Sequence, residues 1–498
     1  MKKNQDVSAL NRSRRQALAY LGAVSLAGLL PGCGGGSGAG SVSTTPGGSG
    51  AAASNPQPAA SGPVTDAGVT VAMAAAGSIT SNFIGLSYEK GQMANSFFSP
   101  SNADAIGMFQ RLGTSLVRIG GNSVDKTTWM PDGAGRTSGQ VAPSDIDALA
   151  GFLQATGWSV LYGVNLAQST PALAAAEVAY AVKSLGSSLH GIEIGNEPDL
   201  YAGNYFASTW SFSDYLTLWQ SFAAAIAQQT PPVKLTGPVA AYNVSGYVQP
   251  FAAAEGKDIE LLSVHYYRAN GQLATSTVDY LISYPDTSLK TMLSGMLAIS
   301  SSSGVPFRVA ETNSFYNGGA TGVSDSYASA LWVIDHAMTC ALGGATGINL
   351  HGGGNGGGYT PIADSGGTVV GARPEFYGLA LLNLAGTGQL QPAAVAAGTL
   401  NVSAYAIATA SGYSVVVVNK DATQNLALSL AMPSAVSSAT LLAMQGPALA
   451  STDTPTIQGA AIGIDGSLSL AAPYTLPVSG QTVSATVPPA AAVLIQVR

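Results

Sequence analysis

The 498-residue sequence predicts an α/β protein, a (β/α)8 TIM barrel with a C-terminal all-β sandwich domain that also takes an N-terminal strand. Three observations predict it. Eight near-continuous apolar runs recur between residues 83 and 352, and most gaps between them carry an amphipathic helical pattern. From about residue 388 the texture changes to short Val/Ala-rich alternating segments separated by turn residues. Apolar strands alternating with helices are the pattern of a parallel sheet with both faces covered, and eight such units close into a barrel. Short alternating strands between turns read as a sandwich.

In chain order, residues 1–32 read as an export signal. Lys2, Lys3, Arg12, Arg14 and Arg15 stand against Asp6 alone, followed by the apolar run LAYLGAVSLAGLL and then Pro31-Gly32-Cys33. That run is too short for a comfortable membrane span. Ser13-Arg14-Arg15 resembles a twin-arginine signal, and Leu30-Pro31-Gly32-Cys33 resembles a lipobox, in which Cys33 becomes the lipidated N-terminus. Residues 33–63, rich in Gly, Ser, Ala and Pro and without charge, read as a flexible tether. The segment 64–79, with GVTVAM at 68–73, fits no barrel slot and is assigned as an N-terminal strand of the β-domain.

The barrel is assigned to residues 80–386. Its strands are placed at 83–89, 115–122, 159–166, 189–197, 233–241, 259–267, 306–313 and 347–352. Helical patterns such as SDIDALAGFLQATG and SDYLTLWQSFAAAIAQQ fill the gaps, and PEFYGLALLNLAG supplies the last helix. Residues 387–498 make the sandwich.

Composition narrows the function classes. The chain is 46% hydrophobic and 9% charged, with 61 Gly, so a large core lies behind an unusually neutral surface. Without residues 1–32, 14 Lys+Arg stand against 25 Asp+Glu, which excludes a clustered basic surface for nucleic acid. Cys340, in an apolar helix pattern, then has only Cys33 for company, so no intrachain disulfide is expected and Cys340 reads as inert core. The histidines have no metal-ligand spacing such as HExxH, and HGGGNGGGY lacks the Gly-Lys-Ser/Thr ending of a phosphate loop. No metal and no cofactor are expected, and the protein is expected to be a monomer.

The chemistry is expected at the strand ends, where barrels of this kind place their sites. In GIEIGNEPDL a buried strand runs straight into Asn196-Glu197-Pro198, and in RVAETN another delivers Glu311. A carboxylate at the mouth of an apolar strand is costly to desolvate unless something uses it. Glu197 ends the fourth strand and Glu311 the seventh, so the two are expected to face one another. A carboxylate pair about 5–5.5 Å apart is what retaining glycoside hydrolysis needs.

The stretches SYEKGQ, VRIGGNSVD, IEIGNEPDL, VHYY, ETNSFYNGG and INLHGG resemble glycoside hydrolase family 79, the β-glucuronidase and heparanase family, over roughly residues 64–498. The resemblance implies a retaining β-D-glucuronidase with Glu197 as acid/base and Glu311 as nucleophile, acting on a glucuronic-acid-containing carbohydrate. It implies that Asn196 holds the sugar 2-hydroxyl, and that Glu89 and Asn122 bind the outer hydroxyls. Tyr316, Tyr359 and the backbone amides around Gly357 and Gly358 would hold the sugar carboxylate without a formal positive charge. Tyr267 would hydrogen-bond the nucleophile, and His265 is either a supporting group or a satisfied core histidine. Arg118 is expected beneath the mouth, paired with Glu311, with inward-facing Glu193, or with both.

Departures bear on substrate choice. The loops after the second and eighth strands are compact, which favours a cleft open to internal positions of a polymer, as in heparanases. Yet no Lys follows the acid/base in GNEPDLYAG, and only Lys90, Lys126, Arg136, Arg268 and Arg373 are placed to reach the cleft. Exo-acting glucuronidase and heparanase-like endo-β-glucuronidase therefore remain close competitors. A non-catalytic carbohydrate-binding lipoprotein is the more distant alternative, and another barrel glycosidase specificity is disfavoured by Tyr316 and Tyr359. The location expected is periplasmic or at the cell surface, with membrane contact through the lipid on Cys33 alone.

Overall fold

The computed structural model describes residues 55–353 and 358–498. The export-signal reading, most of the tether and Cys33 lie outside the described residues, as does Gly357. Eight parallel strands close into a barrel in chain order: β1 (Ile84–Glu89), β2 (Leu116–Gly120), β3 (Ser159–Val164), β4 (Leu189–Ile194), β5 (Leu235–Ala240), β6 (Ile259–Asn270), β7 (Phe307–Tyr316) and β8 (Ile348–Gly352). The principal helices outside it are α1 (Ala103–Arg111), α2 (Pro143–Thr156), α3 (Pro171–Leu185), α4 (Phe212–Gln229), α5 (Gln249–Glu255), α6 (Thr287–Ser303), α7 (Tyr327–Leu342) and α8 (Pro374–Ala385).

The helices start and stop on chemical signals. Before α4, Ser211 accepts from the amide of Asp214, whose carboxylate accepts from the amide of Ser211 at 2.9 Å, so two orphan donors are satisfied reciprocally. Asp286 caps α6 by accepting from the amides of Ser288 and Leu289, and Gly304 at φ 74 ends it in the left-handed conformation that glycine adopts without a Cβ penalty. Nearly every residue of α7 is buried. Its apolar stretch lies between the barrel and the sandwich, where Asp335 meets Lys420 at 2.7 Å and accepts from Tyr405 at 2.8 Å.

The barrel lumen is unusually polar. Leu116, Leu161 and Leu261 form a small apolar plug of their own. Around it lie the fully buried Ser87, Arg118, Glu193, Ser263 and Asn349, with Arg308 almost fully buried beside them. Arg308 donates to Asn349 Oδ1 and to the carbonyls of Asn82 and Ile348, each at 2.9 Å or less.

The β-domain is two packed sheets. The strand Val64–Val71 runs parallel to Asn425–Ala431 and antiparallel to Ala393–Ala396, while Ser78–Ile79 joins the other sheet beside Gly388–Gln391. The N-terminal segment thus supplies a strand to each sheet. One boundary differs from expectation: residues 55–57, assigned to the tether, are bound to the sandwich. Gln57 exchanges both amide hydrogen bonds with the backbone of Thr486, at 2.5 and 2.8 Å, and Thr475 N donates to Asn55 O at 2.7 Å. An extended, proline-containing segment can meet a sheet edge in this way, and composition alone does not reveal the pairing. No helix among the described residues is long and apolar enough to cross a membrane.

Candidate active site

The turn after β4 brings Glu197 to the mouth in an uncommon backbone conformation. Gly195 has φ 87, and Glu197 itself sits at φ 54, ψ 54, in the left-handed region. Its amide donates to the carbonyl of Val239, another left-handed residue (φ 61), just inside the end of β5. Such strain persists only where the surroundings over-determine it. Pro198 then opens a short 3-10 turn through Leu200, which ends the strand direction.

Glu311 does not end β7, as the sequence suggested. The strand continues to Tyr316, and a register shift against β6 sets Glu311 opposite His265 where Val309 had been opposite Val264. A bulge of this kind re-aims a side chain while leaving the ladder on either side intact. One carboxylate oxygen of Glu197, one of Glu311 and one ring nitrogen of His265 lie within 4.8 Å of one another. That spacing also suits a cation. Arg118, 2.7 Å from Glu311, already supplies positive charge there.

Arg118 organises the site. Its Nε donates to Glu193 at 2.6 Å, Nη1 to Glu311 at 2.7 Å, and Nη2 to Asn196 Oδ1 at 2.8 Å. Both pairings considered from the sequence are therefore made at once. Tyr267 donates to the other oxygen of Glu311 at 2.8 Å. Burial alone would raise the Glu311 carboxyl. His351, His265 and Arg118, with the Tyr267 hydrogen bond, outweigh it and hold the group well below the usual carboxylate range. The histidines stand at 3.8 and 3.9 Å and contribute charge only while protonated, whereas Arg118 is charged at every working pH.

Glu197 has a different environment. His265 Nδ1 lies 3.0 Å from its Oε1, and its side chain keeps 16% exposure against 6% for Glu311. Solvent and a departing group can reach Glu197 more readily. Glu89, at the end of β1, accepts from the amides of Asn122 and Ser123 at 3.2 and 2.7 Å, and His351 Nε2 lies 3.6 Å away. Burial opposes its ionisation, but the His351 contacts and Ser123 prevail and lower its pKa. Only the backbone of Asn122 makes that contact; its side chain is exposed. Tyr359 is buried against His351, and the rings of Tyr359 and half-exposed Tyr316 each stand 6.4 Å from that of Tyr267. Gly358 offers its carbonyl to Arg373 at 2.9 Å.

The cations expected to reach the cleft mostly have other work. Lys90 is fully buried, bonded to Glu177 and to the carbonyl of Gly163, and Arg268 is held by Ser283 and Asp286 over the ring of Tyr280. Glu177 lies 87 residues beyond Lys90 on α3 and Asp286 caps α6, so local spacing gave no warning. Sequence reasoning also missed Asp125, buried behind Asn196, and Glu375. The latter accepts from Asn313 at 3.2 Å while Asn313 donates to the carbonyls of His351 and Tyr359. Burial drives the Glu375 carboxyl well above its usual range. The signal available for Glu375 was a carboxylate inside an apolar run, in PEFYGLALL, whereas Asp125, in the polar stretch GGNSVDK, carried none. A groove of about 1330 Å³ lies elsewhere, on the outer wall between α5 and α6, and holds none of these groups.

No family model matches the chain. A β-glucuronidase of Aspergillus niger is 26% identical over 307 residues, 53% of this chain and 56% of that protein. A β-glucuronidase of Neurospora crassa is 25% identical over 230 residues, 40% of each chain. The chain thus matches about half the length of these curated relatives or less. Among solved structures, a 4-O-α-L-rhamnosyl-β-D-glucuronidase from Fusarium oxysporum 12S, in complex with Rha-GlcA, superposes with a TM-score of 0.71 at 20% identity, covering 86% of this chain and all of that one. A GH51 arabinofuranosidase from Xanthomonas axonopodis pv. citri gives 0.62 at 14% identity, covering 87% of this chain and all of its own. The shared feature is the fold, a glycosidase-type barrel carrying a β-domain.

Proposed function

We propose that the protein is a retaining β-D-glucuronidase, and the observation that carries the reading is the Glu197–Glu311 pair, with one carboxylate oxygen of each within 4.8 Å of the other. That approach suits a direct attack on the sugar, whereas inverting enzymes separate their carboxylates by roughly 6.5–9.5 Å to admit a water. Glu311, ionised and held by Arg118 and Tyr267, attacks the anomeric carbon as Glu197 gives its proton to the departing oxygen. A covalent glycosyl ester on Glu311 results. Glu197, now a carboxylate, takes a proton from water, and the water oxygen displaces Glu311 with net retention. Asn196, aligned by Arg118 Nη2, is placed to hold the 2-hydroxyl.

Glucuronate as the sugar is supported by the two curated relatives and by Tyr316 and Tyr359, each with its ring 6.4 Å from that of Tyr267. Tyrosine hydroxyls read a carboxylate by hydrogen bonding, with no cation required. The withdrawal of Lys90 and Arg268 from the cleft favours unsulfated substrates over the heparan-sulfate type. Product analysis on p-nitrophenyl β-glucuronide, heparan sulfate and an unsulfated glucuronan tests this. Release of glucuronic acid from the first and third substrates is expected, and release of internal fragments from heparan sulfate alone would select the endo reading. Export with anchoring at Cys33 belongs to the same proposal. Cys33→Ser should move the protein from the membrane to the soluble fraction, and wild-type protein found soluble with an unlipidated N-terminus would remove the anchor.

A further inference from the structure

Glu197 needs a reason to stay in a left-handed turn that glycine would occupy more easily. The loop after β2 supplies one. Asp125, in the short 3-10 turn Val124–Lys126, is 1% exposed and makes no ion pair among the described residues. Its Oδ1 accepts from the amides of Leu166 and Ala167, beyond β3, at 3.0 and 3.1 Å. Its Oδ2 accepts from the amide of Asn196, beyond β4, at 3.2 Å and from the hydroxyl of Tyr201. The Tyr201 oxygen in turn accepts from the same Asn196 amide at 3.1 Å. One buried carboxylate thus ties together the ends of three strands and grips the residue immediately before Glu197.

Four donors are the full complement that a carboxylate's lone pairs can take. Burial raises the Asp125 carboxyl above its usual range, and the hydrogen bonds from Tyr201, Ala167, Leu166 and Asn196 act against that rise. A second carboxylate completes the clamp from the far side: Asp199 accepts from the amides of Ala241, Tyr242 and Asn243 at 2.9, 3.2 and 3.1 Å. The segment from Asn196 to Asp199 is therefore fixed at both ends, with Glu197 between them.

We propose that Asp125 is a positioning residue for the acid/base, holding the turn at Asn196 so that the Glu197 carboxyl is aimed at the departing oxygen. The inference rests on the glucuronidase reading of Glu197 and adds the residue that aims it. Misplacement of a catalytic group by about 1 Å can cost on the order of 100-fold. The loss should fall only on steps that need the proton. A good leaving group departs without acid assistance, and a poor one does not.

The test measures kcat/KM for Asp125→Asn on two substrates, 2,4-dinitrophenyl β-glucuronide and an alkyl β-glucuronide. Asparagine keeps the shape but turns an amide N–H toward backbone donors. The alkyl substrate is expected to lose about 100-fold, at the low end of what general acid catalysis contributes, and the dinitrophenyl substrate to change little. Tyr201→Phe, which keeps Asp125 and removes one donor, should shift the same ratio in the same direction by a smaller factor, and it carries the test if Asp125→Asn does not fold. Equal losses on both substrates would make Asp125 a structural residue, and an undiminished alkyl rate would overturn the proposal. Glu197→Ala serves as the benchmark: if it lacks this leaving-group signature, the fault lies with the reading of Glu197.

Discussion

Two buried arginines enter the same barrel lumen, Arg118 near its mouth and Arg308 near its floor, and their surroundings are opposite. Arg118 is held by two carboxylates, Glu193 at 2.6 Å and Glu311 at 2.7 Å. Burial would lower its pKa, but those two charges raise it above the ordinary arginine value. Among the described residues Arg308 has only an amide oxygen and backbone carbonyls as acceptors, and burial pulls its pKa below that value. The mouth uses charge to bias a neighbour's ionisation. The floor uses hydrogen bonds to close the barrel. Burial of an arginine therefore says little by itself about function, because the acceptor decides what the charge does.

Breaking the mouth should cost the most turnover. In Arg118→Met/Glu193→Gln the fully buried Glu193 is not left as an unpaired carboxylate, while Glu311 loses its arginine and keeps the hydrogen bond from Tyr267. Loss of a preorganised electrostatic contact of this kind costs about 10²–10³-fold in rate. The pH profile should move as well. Glu311 is held below its usual range, so activity requiring its ionised form is lost only as pH falls through that lowered value. Without Arg118 that value rises, and the acid limb should shift to higher pH. An unshifted limb would mean that the histidines, not Arg118, set the ionisation.

A smaller effect is expected at the rim. A charge-assisted hydrogen bond is worth roughly 1.5–3 kcal/mol, and the 44% exposure of Tyr316 places it at the low end. Tyr316→Phe should cut glucuronide hydrolysis about tenfold and leave any residual β-glucosidase activity unchanged. Equal losses on both sugars would reduce Tyr316 to packing.

Breaking the floor should cost stability rather than turnover. Arg308→Met leaves Asn349 Oδ1 and two backbone carbonyls without their donor. Buried unsatisfied groups cost about 1–3 kcal/mol each, so Tm should fall clearly while kcat/KM stays nearly unchanged. A large fall in kcat/KM with Tm intact would erase the distinction between the two arginines.

What the sequence made legible follows the same divide. Glu197 and Glu311 stand out because charge in or just beyond an apolar strand is anomalous, and the eight-strand pattern places them on one barrel. Arg118 was equally visible, although which acceptor it took was not, since Glu193 and Glu311 lie 75 and 193 residues away. Lys90 looked like a cleft cation because its neighbours in sequence belong to the mouth; its partner Glu177 is buried on α3. The bulge that leaves β7 running past Glu311 to Tyr316 has no composition signal, because an extra strand residue looks like any other. Asp125 needed the loops of three strands assembled before its four donors met.

The central claim is that Glu311, kept ionised in the lumen, forms the covalent bond to the sugar. Incubation with 2-deoxy-2-fluoro-β-glucuronyl fluoride, followed by mass spectrometry of the intact protein and its peptides, tests it directly. The account predicts one glycosyl adduct, located on the peptide containing Glu311, and its slower formation in Arg118→Met/Glu193→Gln. An adduct on any other residue, or rapid turnover of the reagent with no adduct and an inverted product, would contradict it.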